Sequence, residues 1–287
     1  MSASIARPEF VRKVRKEGFG VVARPLPLWE RLTGIGALRK GMILAALAAA
    51  WQLYALKEHN ALLFPTFTAT LSAFVHDVAN GELITRAGYS LALLLQGYAV
   101  GVVLAALLTA FAAATRIGSD LLETLTSMFN PLPSIALLPL ALIWFGLGNL
   151  SIIFVLVHAV LWSVSLNTYS GFRTVSQTLK MVGRNYGLVG PRLLVSVLIP
   201  AALPSILAGL RIGWAFAWRT LIAAELVFGV SSGSGGLGWY IYENKNDLAI
   251  ANVFAGLFTV IVIGLFVESV IFDRLERHTV RRWGMSN

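Results

Sequence analysis

"TLTSMFNPLPSIALLPLALIWFGLGNLSIIFVLVHAVLWSVSLNTYSGF", residues 124–172, contains no Asp, Glu, Lys or Arg. A helix that crosses a lipid bilayer needs about 20 mainly apolar residues. This stretch is therefore long enough for two membrane-spanning helices. The glycines of "FGLGN" (145–149) predict a tight turn between them.

Other charge-free stretches occupy residues 41–56, 87–115, 193–210 and 248–267. Only 13% of the 287 residues are charged and 57% are hydrophobic, whereas soluble domains average about 25% charged residues. We therefore predict an all-α integral membrane protein. Its six transmembrane helices are expected near residues 38–57, 87–111, 125–145, 150–170, 203–228 and 248–270.

The basic residues predict the orientation, because cytoplasmic segments of membrane proteins are enriched in Lys and Arg. With both termini cytoplasmic, 18 of the 23 Lys and Arg residues fall on the inner side. Residues 1–37 then form a basic tail that could lie on the inner membrane surface as a helix. Residues 38–273 form the six-span domain, and residues 274–287 form a second basic tail. Membrane topology thus explains the net charge of +9 without nucleic-acid binding.

The longest predicted cytoplasmic loop between spans is "GFRTVSQTLKMVGRNYGLVGPR" (171–192), which has four basic residues and no acidic one. Within it, "VSQTLKMVGRNYG" (175–187) predicts a short helix that ends near Gly187. These residues alone leave two interpretations open. The loop lies on anionic lipid headgroups, or it is a docking site for a soluble partner.

The residues that follow favour docking. "GLVGPRLLVSVLIPAALPSILAGLR" (187–211) places Gly187 thirteen residues before Pro200. This pattern resembles the cytoplasmic loop of type I ATP-binding-cassette importer permeases. Three further segments are similar to the nitrate, sulfonate and taurine permeases of that superfamily: "NPLPSIALLPLALIWFGLG" (130–148), "GLRIGWAFAWRTLIAAELVFG" (209–229) and "FDRLERHTVRRWGM" (272–285).

The resemblance implies that a coupling helix between spans 4 and 5 docks on a partner ATPase. The positions that match this helix and its end are Thr178, Lys180, Met181, Val182, Gly183, Tyr186 and Gly187. Many relatives have Glu-Ala-Ala where this chain has Met181, Val182 and Gly183, so a salt bridge from that glutamate is not available. Apolar packing through Met181, Val182 and Tyr186 is the alternative.

The family resemblance also implies the partners and the location. These are two copies of a cytoplasmic ATP-binding-cassette ATPase, a second permease copy in a homodimer, an extracytoplasmic substrate-binding protein and the lipids of a bacterial cytoplasmic membrane. The implied solute is a small anion such as a sulfonate, taurine or nitrate; a neutral small metabolite is the alternative.

No cofactor is expected in this chain, because it contains no G-x-x-x-x-G-K-[ST] phosphate loop; ATP and Mg²⁺ are expected in the ATPase. "GSGGLG" (233–238) matches G-x-G-x-x-G. It falls in a predicted outer loop and lacks the strand–helix setting that gives this motif its meaning, so we do not predict a nucleotide site there.

Polar and aromatic residues inside the predicted spans are candidates for the translocation path, since buried charge in a membrane is usually functional. They are His158, Arg211, Trp214, Trp218, Arg219 and Glu225. Arg219 has two interpretations: it forms a salt bridge with Glu225 or another polar group, or it faces the path and attracts an anion. For His158 an interhelical hydrogen bond competes with a gating role. For the tryptophans the alternative is packing, and Arg211 could simply extend to the inner interface.

Two other classes of protein fit less well. An ATP-independent channel or secondary transporter needs an internal coupling site, which commonly uses acidic residues, and Glu225 is the one acid predicted deep in a span. An intramembrane enzyme needs an acid–base pair or a metal site. The spans offer one histidine, no cysteine and no H-E-x-x-H motif, so no catalytic or metal-binding residue is predicted.

Overall fold

The computed structural model describes residues 36–228 and 235–281, and all of its regular structure is helical. The helices are α1 (Gly36–Glu58), α2 (Phe67–Ala79), α3 (Glu82–Ala114), α4 (Arg116–Phe129), α5 (Leu138–Phe145), α6 (Asn149–Thr174), α7 (Gln177–Asn185), α8 (Ile199–Phe228), α9 (Leu237–Asn246) and α10 (Ile250–Phe266). Nearly all of the predicted N-terminal tail and the last six residues lie outside this description. The chain divides into two units between residues 50 and 51, and the second unit contains every candidate site residue.

Within the described residues, four helical runs are long and apolar enough to cross a membrane: Glu82–Ala114, Asn149–Thr174, Pro191–Val227 and Ile250–Thr279. They coincide with the predicted second, fourth, fifth and sixth spans. The first two runs extend past both predicted bounds, the third starts earlier than predicted, and the fourth ends later. The fourth run continues α10 through wide π-type turns at Val267–Phe272 and Arg277–Arg281. Helix α1 occupies the predicted first span but is not among these four.

The prediction of one continuous third span at residues 125–145 is wrong. Helix α4 ends at Phe129, and a second segment, Ser134–Phe145, starts after a break and is bent by 89° from α4. The break contains Pro131 and Pro133. Proline lacks an N–H group and disfavours a helical conformation in the residue before it, so this sequence interrupts the helix. If the bent pair counts as one span, the described residues contain five.

Helix α6 lies at the centre of the bundle: 56% of its most apolar segment is buried, against 28% or less in the other three runs. Glycines let α3 and α8 approach it closely. A Cβ atom at Gly97 would lie 2.6 Å from Leu156 Cβ, and one at Gly101 would lie 2.7 Å from Val160 Cβ. On α8, Gly209 has the same relation to α6. Such small-xxx-small spacings permit backbone contact between membrane helices.

Prolines do not end α8. Pro200 and Pro204 lie within the helical run that starts at Pro191, and a π-type turn at Leu194–Leu198 ends two residues before Pro200. Because Pro200 has no N–H group, the carbonyl of residue 196 loses its usual helical hydrogen bond. Residue 196 lies in the wide turn. The helix therefore continues with a local distortion.

Ion pairs mark the two ends of the bundle. At the start of α3, Arg86 lies 3.0 Å from Glu243 of α9. At the end of α6, Arg173 lies 2.8 Å from Glu123 of α4. The short helix α7 follows α6 at this second end, whereas α2 and α9 belong to the first. Helices α2 and α9 were not predicted, and they fill much of the two segments that the sequence suggested were outer loops.

Candidate functional site

A cavity of about 380 Å³ lies at the break between α4 and α5, against α6 and α8. We call it the break cavity. Its size is within the range of small-molecule sites, about 300–1,000 Å³. The polar side chains that line it are those of Asn130, Ser134, His158, Ser163, Arg219 and Thr220.

Arg219 contributes the only formal positive charge among the described residues that line the break cavity. Phe216, Arg219, Thr220 and Ala223 all line it, and their spacing places them on one face of α8. The Arg219 side chain is exposed, and within the described part of the chain it forms no ion pair. A guanidinium group therefore borders a cavity without a protein counter-charge.

Glu225 has partners other than Arg219. Its carboxylate is 2% exposed and accepts hydrogen bonds from Ser90 Oγ (2.9 Å) and from the backbone N–H of Gly238 (2.8 Å) at the start of α9. A Cβ atom at Gly236 would lie 2.2 Å from Glu225 Oε1. The described part of "GSGGLG", residues 235–238, thus surrounds a carboxylate of its own chain. Glu225 joins α3, α8 and α9.

His158 and Trp162 form an aromatic wall of the break cavity. The His158 Nδ1 atom lies 3.1 Å from Ser134 Oγ, which links α6 to the helical segment after the break. The Phe129 ring stacks on Trp162 with centroids 5.4 Å apart. His158 Nε2 and Trp162 Nε1 have no hydrogen-bond partner among the described residues. The cavity wall therefore contains two unused polar ring atoms.

Trp214 and Trp218 pack between helices. They are 9% and 7% exposed; the Trp214 ring meets Tyr98 of α3 edge-on at 5.4 Å, and Trp218 Nε1 donates to the Val260 carbonyl at 3.3 Å. Neither lines the break cavity. Both line a smaller cavity of about 260 Å³ between α8 and α10, which Arg219 also borders.

Arg211 does not extend freely to an interface. It forms an ion pair with Asp273, and its Nη2 atom donates to the Glu268 carbonyl at 3.3 Å. These contacts fasten α8 to the helical run that continues α10. Arg211 therefore links two helices, at the same end of the bundle as α7.

Helix α7 forms where the sequence predicts a short helix. The Ser176 hydroxyl accepts a hydrogen bond from the Leu179 N–H at 3.3 Å and caps the N-terminus. Gly187 adopts φ +76°, a left-handed conformation that favours glycine, and the Leu188 N–H donates to the Gly183 carbonyl at 3.0 Å. This arrangement is a Schellman-type helix end.

The exposed surface of α7 combines apolar side chains with polar and basic ones, among them Arg184. Met181, Val182 and Tyr186 are 54%, 44% and 83% exposed. Gly183 is buried, and a Cβ atom there would lie 2.8 Å from Leu193 Cδ1. Of the other predicted docking residues, Thr178 and Gly187 are exposed and Lys180 is partly so. Gly183 therefore holds α7 against the start of the next helical run, while an apolar surface that contains Tyr186 faces outward.

The sequence of the chain matches a family of membrane transport components. The family model described as "Binding-protein-dependent transport system inner membrane component" matches residues 97–284, which is well over half of the chain. The chain belongs to this family. The matched region contains α7 and every residue that lines the break cavity.

Individual relatives of this permease carry more specific names. It is 32% identical to a putative ABC transporter permease protein of Methanocaldococcus jannaschii over 79% of this chain and 84% of the relative. It is 30% identical to a putative aliphatic sulfonates transport permease protein of Escherichia coli over 91% and 95% of the two chains. A nitrate import permease protein of Synechocystis is 29% identical over 82% and 86%.

Sequence reasoning missed several features of the permease that shape the site. The break at residues 130–133 creates the cavity, and its signal was present as the turn-forming Asn-Pro pair followed by Pro133. Trp162 lies one helical turn after His158, a spacing that places both on one face of α6. Ser90, the partner of Glu225, has no local signal because 135 residues separate the two.

A second buried carboxylate fastens the permease at the Arg86–Glu243 end. Asp77 of α2 is 3% exposed; it accepts hydrogen bonds from Tyr240 of α9 and from Asn252 Nδ2 of α10 at 2.7 Å. Burial raises the pKa of Asp77, but hydrogen bonds from Tyr240, His76 and Asn252 outweigh it, so the net pKa lies below the usual value. Asp77 therefore joins three helices as a carboxylate.

We expect Asp77→Asn to lower the stability of the folded permease by about 2 kcal/mol at neutral pH, because hydrogen bonds to a charged group contribute about 1.5–3 kcal/mol. Since the pKa is lower in the folded state, this contribution is present above the unfolded pKa and is lost as the pH falls through the folded pKa. Thermal unfolding in detergent at several pH values measures it. A difference between the two proteins that persists unchanged at acid pH would contradict a role for the Asp77 charge.

Proposed function

We propose that the permease forms the membrane path of an ATP-driven importer for a small anion, with a sulfonate or taurine as the main candidates and nitrate as another. The observation that carries this proposal is the exposure of Met181, Val182 and Tyr186 on and just after α7, at one end of the bundle in a chain of the binding-protein-dependent family. The names of the sulfonate and nitrate relatives support the solute class.

Helix α7 acts as the coupling helix. Val182 and Tyr186 are one helical turn apart and present an aromatic ring and a branched aliphatic side chain to a groove on the ATPase. When two ATPase subunits close on ATP, they move the docked α7 helices. Gly183 transmits this movement to the helical run that leads into α8, because it packs directly on Leu193. A rigid element docked in this way biases a two-state membrane bundle.

Apolar contact replaces the missing glutamate in this docking mode. Met181 and Val182 stand where many relatives have an acidic residue and an alanine, and both are exposed. Aromatic and methionine side chains are enriched in the cores of protein interfaces, where charged residues are depleted. These apolar side chains therefore take the place of the salt bridge that the glutamate would provide.

The complete importer contains two permease copies, two ATPase subunits that bind ATP and Mg²⁺, and an extracytoplasmic binding protein that delivers the solute. The permease crosses the bacterial cytoplasmic membrane six times, with α1 as the first span and the broken α4–α5 pair as the third. Both termini and α7 are cytoplasmic. The basic residues of the N-terminal segment and of the 171–192 loop support this orientation.

The proposal is tested by purifying the permease with the ATPase and the binding protein encoded beside its gene, and reconstituting the complex in proteoliposomes. We expect ATP-dependent uptake of at least one labelled anion among butane-1-sulfonate, taurine and nitrate, and no uptake when the ATPase is omitted. Uptake that persists without the ATPase would show a channel or secondary transporter. ATP-dependent uptake of a neutral solute alone would contradict the proposed solute class.

A further inference from the structure

We propose that the break cavity is itself a binding site for the transported solute, and that it selects an oxyanion that carries a short apolar group. This inference rests on the proposed function and deepens it. The permease then discriminates between solutes inside the membrane, in addition to any selection by a binding protein outside.

The charge of the cavity sets the sign of the ligand. Arg219 is exposed to the cavity, and no acidic side chain is among the described residues that line it. An unpaired guanidinium inside a membrane bundle needs water or an anion as its partner. Its planar set of N–H donors matches the oxygens of a sulfonate or carboxylate group. A cation would meet repulsion here with no compensating carboxylate.

The wall offers further hydrogen-bonding groups from helices other than α8. Trp162 is 8% exposed, and its Nε1–H group has no partner within the described residues; the same holds for Nε2 of His158. Buried polar groups nearly always have a hydrogen-bond partner. Both residues line the cavity, so a small rotation of either ring would offer its free nitrogen to a ligand or water there.

The rest of the wall indicates a short apolar group on the ligand. The stacked rings of Phe129 and Trp162 and the side chain of Phe216 line the same cavity as Arg219. Aromatic surfaces gain free energy when an alkyl chain removes water from them. A small organic sulfonate can pair with the guanidinium and also pack its alkyl group on the rings, whereas nitrate can only pair with the guanidinium.

A second cavity of the permease provides an internal control. It has the same volume, about 380 Å³, and among the described residues its lining is apolar except for Thr168. Ala110 lines this cavity as Ala223 lines the break cavity. Ala→Leu at either position fills a cavity by the same number of atoms, so the two variants differ only in which cavity is blocked.

Binding is measured with the purified permease in nanodiscs of phosphatidylcholine, without ATPase or binding protein. Saturation-transfer NMR compares butane-1-sulfonate with butan-1-ol. We expect the sulfonate to bind and the alcohol to bind at least about tenfold more weakly, because charge-assisted hydrogen bonds are the stronger ones. Arg219→Gln should weaken sulfonate binding about tenfold, with partial recovery in Arg219→Lys.

Three further variants test the cavity without removing the Arg219 charge. Ala223→Leu should abolish sulfonate binding, Trp162→Phe should weaken it several-fold, and Ala110→Leu should leave it unchanged. Equal binding by the Ala223→Leu and unaltered proteins would overturn the proposal, even if Arg219→Gln fails to fold. Equal binding of sulfonate and alcohol would also overturn it.

Anionic lipid headgroups offer the same oxyanion chemistry as a soluble sulfonate, so the titration is repeated in nanodiscs that contain phosphatidylglycerol. Unchanged sulfonate affinity supports a solute site. Loss of sulfonate binding would assign the cavity to lipid and overturn the proposal. ATP-driven sulfonate uptake by a complex whose permease shows no binding in this assay would overturn the cavity site and leave the proposed function intact.

Discussion

Replacing Val182 and Tyr186 together by aspartate is expected to abolish ATP-driven transport while the permease remains folded in the membrane. Both side chains are largely exposed on α7, at 44% and 83%, so the charges are tolerated in the isolated subunit. In the complex they would lie buried in the ATPase groove. Truncation of a central aromatic anchor commonly weakens an interface by about 2 kcal/mol or more. The loss of the Tyr186 ring and the burial of two unpaired carboxylates together amount to roughly a thousandfold loss of ATPase affinity.

Co-purification with the ATPase and uptake in proteoliposomes measure this effect. Asn185→Asp is the matched control, because it adds a negative charge to an exposed position of the same helix and removes no apolar side chain. It should retain both ATPase binding and transport. A doubly substituted permease that still binds its ATPase and transports at the normal rate would show that α7 is not the docking element.

The connection between α7 and the bundle allows a second form of the same test. Gly183 packs against Leu193 and Val197: a Cβ atom added at this position would lie 2.8 Å from Leu193 Cδ1 and 3.1 Å from Val197 Cγ2. Gly183→Leu would separate α7 from the next helical run without changing the exposed Tyr186. We expect this variant to bind the ATPase but to hydrolyse ATP without transport. Loss of ATPase binding instead would place Gly183 in the docking surface itself.

The spans could be predicted from the sequence because their signal is local. A membrane span requires only about 20 consecutive, mainly apolar residues, which can be read directly from the sequence. Four of the predicted spans coincide with apolar helical runs. Their bounds were less predictable. Helix α3 begins at Glu82 and therefore includes Arg86, a charged residue that the hydropathy pattern placed outside the span. An ion pair with Glu243 of α9 neutralises this charge in the folded protein.

The broken third span shows where composition misleads. Residues 124–172 are uniformly free of charge, yet Pro131 and Pro133 end α4 and redirect the chain by 89°. Hydropathy carries no information about backbone donors, so the charge-free pattern concealed the break. The proline spacing was the stronger evidence at this position.

Site residues could be predicted from the sequence where their position inside a span was enough to identify them. Arg219 was identified as a charge inside a predicted span, and it borders the break cavity. The predicted alternative of a salt bridge between Arg219 and Glu225 does not form; the Glu225 carboxylate is held by Ser90 and by the backbone of α9. Those partners come from distant parts of the chain and are brought together only by the fold.

Gly101→Leu is expected to have the largest effect on the folded bundle itself. A Cβ atom at this position would lie 2.7 Å from Val160 Cβ and 3.3 Å from the Val157 carbonyl oxygen. One of these neighbours is a backbone atom of the central helix α6, which cannot rotate away as a flexible side chain can. Overpacking typically costs about 1–3 kcal/mol, and a leucine here also separates α3 from α6 along their contact.

Gly88→Leu on the same helix is the matched control. Its Cβ would meet no heavy atom within 4 Å, and Gly88 is exposed. Because leucine favours a helix over glycine by up to about 1 kcal/mol, this variant should be as stable as the unaltered permease or slightly more stable. Thermal unfolding in detergent and the monodisperse fraction in size-exclusion chromatography measure both.

The two glycines of the "GYAVG" segment (97–101) should act together, because both face α6. Leu156 meets the first and Val160 meets the second, so shortening these partners offers a rescue. Combining Gly101→Leu with Val160→Ala should recover part of the lost stability, since the added and removed volumes lie in contact. Additive losses in the double variant would mean that Gly101 is required for a reason other than its close approach to α6.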